Sequence, residues 1–194
     1  MFVYIRAMAR TKSTPDERVV ELALELLVQA GPQGFTLAAL GARAGLSAAT
    51  LVQRFGSRAA LLERAIIRSS ERMAISAPTA GDATVDALVG WLGAQTRGME
   101  TRKRLAGHMT LLMEDLRAAG SRRATLADAH VLEMRHGIAG QLQTMGFANV
   151  EAAATLVEAH WHGLVIQWGL TGKGSLRSWV EAGLRQAIML LPRN

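Results

Sequence analysis

Five histidines, at positions 108, 130, 136, 160 and 162, are the side chains here most able to do metal or acid–base chemistry. Their spacing argues against it. His160 and His162 lie two residues apart and so project from different faces of a helix. The chain has no cysteine, which removes thiolate zinc sites, iron–sulfur clusters and a disulfide framework. No nucleophile elbow, phosphate loop, HExxH pattern or clustered acidic pair occurs. We therefore expect no catalytic residue, no metal and no cofactor. The remaining chemistry is hydrogen bonding and charge, and it concentrates between Thr36 and Phe55. Ser47, Ala48, Ala49, Thr50, Gln53 and Arg54 are short, polar or cationic side chains within one eight-residue segment. Such a set suits a helix lying in a DNA major groove, touching base edges and phosphates.

The elements that must carry these residues are legible in the same stretch. Two helices of about eight residues each are expected on either side of Ala44-Gly45-Leu46, where a glycine accepts the positive φ of a tight turn at little cost. Leu37, Leu40, Gly41 and Ala44 form the inward face of the first helix, with Leu46, Leu51 and Phe55 beneath the second. Gly41 leaves room for a close crossing. A helix pair with a glycine turn also occurs in ordinary α-bundles. Its surroundings favour nucleic acid: an amphipathic helix precedes it, a capped helix follows, and basic residues flank both sides.

The preceding helix starts at Thr14-Pro15-Asp16-Glu17, read as an N-cap, a proline at the first helical position and a capping box. Its buried face is Val20, Ala23, Leu24 and Leu27, and Gly31-Pro32 should stop it. Thr36, Ser47 and Ser57 each open a short helix with a hydroxyl able to cap. The third of these runs through Leu61, Leu62, Ala65 and Ile66 to about Ser76. Beyond a break at Ala77–Gly81, helices are expected at 82–98, 102–118, 122–145, 149–170 and 175–190. Gly120, Gly146–Asn149 and Thr171–Gly174 connect them. Only four prolines occur, and alternating strand patterns are absent. The fold class is all-α, with about nine helices. We divide it into a basic arm (1–13), a helix-turn-helix domain (14–57), a connecting helix (58–77) and a C-terminal domain (78–194). Met8 offers a second start of translation.

Composition agrees. At 194 residues with 49% hydrophobic and 20% charged side chains, the chain can bury a substantial core. A net charge of +6 suits a polyanionic partner, and Arg6, Arg10, Lys12, Arg18, Arg43, Arg54 and Arg58 all precede residue 59. No apolar run is long enough to span a bilayer. With neither signal sequence nor cysteine, a cytoplasmic location is expected.

The stretch around residues 18–66 resembles the TetR/AcrR family of bacterial transcriptional regulators. The resemblance rests on Gly31, Thr36, Ala44-Gly45-Leu46-Ser47, Thr50-Leu51-Val52-Gln53-Arg54-Phe55, Ser57-Arg58 and Leu61-Leu62. It implies phosphate contacts from Thr36, Thr50 and Arg58, and base or groove contacts from Ser47, Ala48, Ala49, Gln53 and Arg54. Val52 stands where the family usually has a phosphate-binding tyrosine, and Arg58 replaces the usual lysine. The family also implies a homodimer on double-stranded operator DNA, released by a small-molecule effector. A helical small-molecule carrier that has lost specific DNA binding is the alternative. Repression or activation depends on operator position, which the sequence does not encode.

In the C-terminal half, the helix near 149–170 is apolar on two sides and should be buried on both. Ala152, Leu156, Ala159, Gly163 and Leu170 form a small-residue face. The family's four-helix dimer interface would use it, with Val180, Gly183 and Ala187 of the last helix. Trp161, Val165 and Trp168 follow the other side, with Val157. With Trp91, Met109, Leu112, Met113 and Met134 they could line an adaptable apolar cavity. His108 and His130 are candidates for a polar anchor there. The expected effector is apolar or aromatic, with one polar group.

Overall fold

A computed structural model describes residues 14–73, 77–79, 81, 83–117 and 122–194. The expected arm (residues 1–13, including Met8), the end of the fourth helix at Ser76 and the connector at Gly120 lie outside them. Among the described residues nine helices follow in order: α1 (Asp16–Gly34), α2 (Leu37–Ala44), α3 (Ala48–Phe55), α4 (Arg58–Met73), α5 (Val85–Ala94), α6 (Arg102–Arg117), α7 (Arg122–Thr144), α8 (Val150–Thr171) and α9 (Leu176–Met189). No strand occurs among the described residues, apart from one isolated bridge between Phe147 and Arg193. No helix among them is long and apolar enough to cross a membrane.

The hydroxyl caps act as their sequence positions predict. Thr36 Oγ1 accepts from the Ala39 amide at 3.1 Å, Ser47 Oγ from the Thr50 amide at 3.0 Å and Ser57 Oγ from the Ala60 amide at 3.1 Å. Each satisfies one of the orphaned first-turn donors. One local expectation fails. Thr14 does not cap α1: Pro15 holds the cap position without a side-chain bond, and the Thr14 hydroxyl donates to the Ala44 carbonyl at 2.7 Å. A tertiary partner has outcompeted the local box. The break expected at Gly31 is present as a kink. Gly31 takes φ 68° and ψ 175°, and one further turn runs on to Gly34 beyond the kink. Only glycine tolerates that backbone region well. The helix expected at 82–98 is shorter, with residues 95–98 forming turns after α5.

Two apolar clusters organise the packing. One gathers Val19, Leu27, Phe35, Leu40, Leu51, Phe55, Leu61 and Ile66 from α1 to α4 and the α1–α2 junction. The other gathers Leu92, Ile138, Leu142, Val157, Val165, Val180, Leu184 and Ile188 among residues of α5 and α7–α9. They are joined by α6, whose Leu111 is buried in the first cluster and whose Leu105 is buried in the second. Close approach there requires Gly107: a Cβ on it would collide with the Val28 backbone carbonyl of α1. The connection between the two halves thus runs through α6 against α1 as well as along α4.

Candidate nucleic-acid interface and sensor core

The α2–α3 pair is built as its sequence predicts. Gly45 ends α2 in the left-handed region at φ 66° and ψ 33°, with Leu40, Gly41 and Ala44 buried inside. Leu37 and Leu46 are half-buried against the same core, while Leu51 and Phe55 are buried under α3. A Cβ on Gly41 would come within 2.5 Å of the Leu46 carbonyl oxygen. The glycine therefore makes space for the backbone of the turn itself, which cannot yield as a side chain would. Gly41→Ala is expected to lower the stability of the N-terminal domain by about 1–3 kcal/mol, the usual cost of overpacking. Chemical denaturation checks this, and an unchanged midpoint would show that the turn can move.

The outer surface of α3 presents Ser47, Ala48, Ala49 and Gln53 exposed, with Thr50 half-buried at the cap. The Ser47 and Thr50 hydroxyls lie 2.8 Å apart and share a hydrogen bond. Val52, at the usual tyrosine position, is 43% exposed. It adds an apolar spot to that surface. Thr36 is exposed at the start of α2. Exposed Arg58 donates from Nε to the Phe35 carbonyl at 2.8 Å, its guanidinium over the Phe35 ring. Its position at the start of α4 is thereby fixed. Arg54 is different: its guanidinium turns back onto the start of α1, bonding Asp16 and the Thr14 carbonyl. Arg43, another of the basic residues, donates to Gln29 Oε1 at 2.8 Å.

The expected cavity lining divides. Trp91, Met134, Trp161, Val165 and Trp168 are buried together in the second cluster, with Met109 half-buried against it. Leu112 and Met113 do not join them, being 38% and 47% exposed. The α6 side that packs inward carries Leu111, and neighbouring helix positions are rotated about 100° from it. The indole donors already have partners: Trp161 Nε1 donates to the Leu92 carbonyl at 2.9 Å and Trp168 Nε1 to that of Gly174 at 3.2 Å. His108 and His130 are half-buried. Desolvation, the largest influence on each, pushes both imidazoles below their ordinary pKa.

The sequence reading missed a set of buried polar side chains, namely Gln95, Thr96, Gln141 and Glu158. Glu158 lies on the inner side of α8, where Arg135 of α7 bonds it at 2.7 Å. His162 Nδ1 stands 3.0 Å from the Glu158 backbone carbonyl, and the His162 ring meets Trp161 edge-on at 4.9 Å between centroids. A carboxylate one residue after Val157 and three before Trp161, on an otherwise apolar stripe, was the available signal. Gln141 Nε2 donates to the Pro78 carbonyl at 2.7 Å and ties the segment after α4 to α7. Among the described residues no three metal-ligating side chains come together.

The face of α8 assigned to a second subunit is open. Ala152, Leu156, Ala159, Gly163 and Leu170 are all exposed, Leu156 at 62% and Leu170 at 77%. Ile166, left out of the sequence stripe, joins them at 51%. On α9 the expectation was displaced. Val180 is fully buried, and Gly183 faces Leu164 of the same chain, where a Cβ would come within 2.5 Å of its Cδ2. Ala187 is half-buried, and the exposed stripe runs instead through Ser178, Ala182, Gln186 and Met189. The apolar period of α9 serves its own core, because α9 packs on both α5 and α8.

Comparison with known proteins agrees with this geometry. The sequence model of the bacterial regulatory proteins of the tetR family matches residues 19–65. No curated protein matches the chain in sequence. In fold, the chain is similar to a transcriptional regulator from Rhodococcus sp. Rha1, with a TM-score of 0.69 at 14% identity over 90% of this chain and 96% of that one. It is similar to the TetR family regulator PfmR from Thermus thermophilus, with a TM-score of 0.64 at 19% identity over 89% and 97%. A third likeness is to the multidrug binding protein EbrR complexed with proflavin, with a TM-score of 0.58 at 17% identity over 88% and 98%. Residues 19–65 thus carry the sequence pattern of the tetR family of bacterial regulatory proteins, and the chain shares the fold of solved transcriptional regulators of that family.

Proposed function

We propose that the chain is a homodimeric repressor that binds double-stranded operator DNA and is released by a small apolar or aromatic effector. The observation that carries this reading is the exposed outer surface of α3, held between hydroxyl-capped α2 and α4. Ser47, Ala48, Ala49 and Gln53 enter the groove, where the methyl groups of Ala48, Ala49 and Val52 suit thymine methyls. Thr36, Thr50 and Arg58 meet phosphates on either side. Residues 14–57 form the DNA-binding domain, 58–77 the connection and 78–194 the sensor and dimerisation domain, working in the cytoplasm. The likeness to a protein complexed with a planar aromatic compound supports the effector class. The core of Trp91, Met134, Trp161 and Trp168 supports an adaptable apolar site, with His130 or His108 facing the effector's polar group.

A salt titration of binding to a duplex enriched by the protein from a randomised library tests the reading. Gln53→Ala is expected to weaken the selected duplex by about 1–3 kcal/mol and relax one base position. Arg58→Ala is expected to weaken all duplexes alike and to lower the salt slope by about 1. Wild-type protein with no salt-dependent duplex binding would favour a helical carrier instead.

A further inference from the structure

The contacts of Arg54 assign it a role other than reading DNA. Its Nε donates to Asp16 Oδ1 at 2.8 Å, and its Nη2 reaches both that oxygen and, at 2.7 Å, the Thr14 carbonyl. The guanidinium also lies 5.5 Å from the centre of the Phe55 ring. Its side chain is only 21% exposed, whereas that of Asp16 is 54% exposed. Thr14 in turn donates its hydroxyl to the Ala44 carbonyl at 2.7 Å. Residues 14–16 therefore grip the last residue of α2 and the last turn of α3 together. The planar fork of arginine makes such a grip directional, and the amino end of α1 favours the Asp16 carboxylate.

We propose that Arg54 is a positioning residue: with Asp16 and Thr14 it forms a strut that fixes α3 against the start of α1 and so sets how α3 enters the groove. The proposal rests on the DNA-binding reading. It gives Gln53 the base contact and Arg54 none. The strut also joins the recognition helix to α1, the helix that packs against α6.

Charge alone and the strut predict opposite signs for one substitution. Removing the Asp16 carboxylate from a face that meets phosphates should tighten binding if only charge mattered, and a released Arg54 would steepen the salt slope by about 1. The strut predicts weaker binding. Asp16→Ala is expected to lose roughly fivefold in affinity for the selected duplex, as Arg54→Ala does, and the double variant no more than either alone. Asp16→Asn keeps the acceptor oxygen and is expected to keep most of the affinity. In the free protein, amide hydrogen exchange in the last turn of α3 should quicken for Asp16→Ala and Arg54→Ala and not for Asp16→Asn. Tighter binding with a steeper slope for Asp16→Ala, additive losses in the double variant, or unchanged exchange would each overturn the strut. Absence of duplex binding by the wild type would instead sink the proposed function. The exchange measurement then still decides whether the strut exists.

Discussion

Gly163→Leu is expected to produce a monomer that is at least as stable as the wild-type subunit. Within one chain nothing lies within 4 Å of a Cβ built at Gly163, so the larger side chain meets open space. Replacing a mid-helix glycine should itself favour α8, by up to about 1 kcal/mol. In a two-fold dimer the same surface patch occurs on both subunits and faces its copy. A bulky residue there blocks close approach twice, costing about 2–6 kcal/mol in total on the usual scale of overpacking, about 1–3 kcal/mol per site. Sedimentation should show half the wild-type mass at micromolar concentration, with the thermal midpoint of the monomer unchanged or raised. Affinity for a two-half-site duplex should fall with the dimer. A variant that stays dimeric would move the interface off this face of α8, despite the exposure of Leu156, Ile166 and Leu170.

Trp161→Ala is expected to cost the C-terminal half about 3–5 kcal/mol of stability, the usual range for truncating a buried aromatic. Trp161 is 6% exposed and packs in the cluster with Val157, Val165 and Trp168. Truncation also removes the indole donor to the Leu92 carbonyl, which keeps the Gln95 amide as its remaining partner. Trp161→Phe keeps most of the volume and should lose less. The pair of variants separates two roles for the residue. If Trp161 is part of the packed core, both variants shift the unfolding midpoint in proportion to the volume removed. A wall of an open effector site would let Trp161→Ala retain its midpoint while abolishing release of DNA by the effector. Calorimetry and duplex binding with and without an aromatic effector read the two outcomes.

The helix-turn-helix was legible in the sequence because its determinants are local. Thr36, Ser47 and Ser57 cap the turn that follows them within three residues, and Gly45 is asked for by a turn of its own backbone. The number and order of helices were legible for the same reason, since apolar spacing repeats within each segment. The two apolar sides of α8 were also visible; one is buried within the chain and the other is exposed. One local signal misled: the Thr14 capping box is a sound short-range pattern, and it lost to the Ala44 carbonyl at the end of α2. Only tertiary structure decided which long-range partner each side chain takes. Arg54 reads in sequence as an outward cation, yet Asp16 and Thr14, about forty residues earlier, claim it. Val180 and Gly183 read as a dimer stripe, yet α9 turns them toward α5 and α8 of its own chain. Leu112 and Met113 read as lining, yet it is Leu111 that points inward. Periodicity fixes which residues share a face but not what that face meets, because the rotation of a helix about its axis is set by the neighbours that cover it.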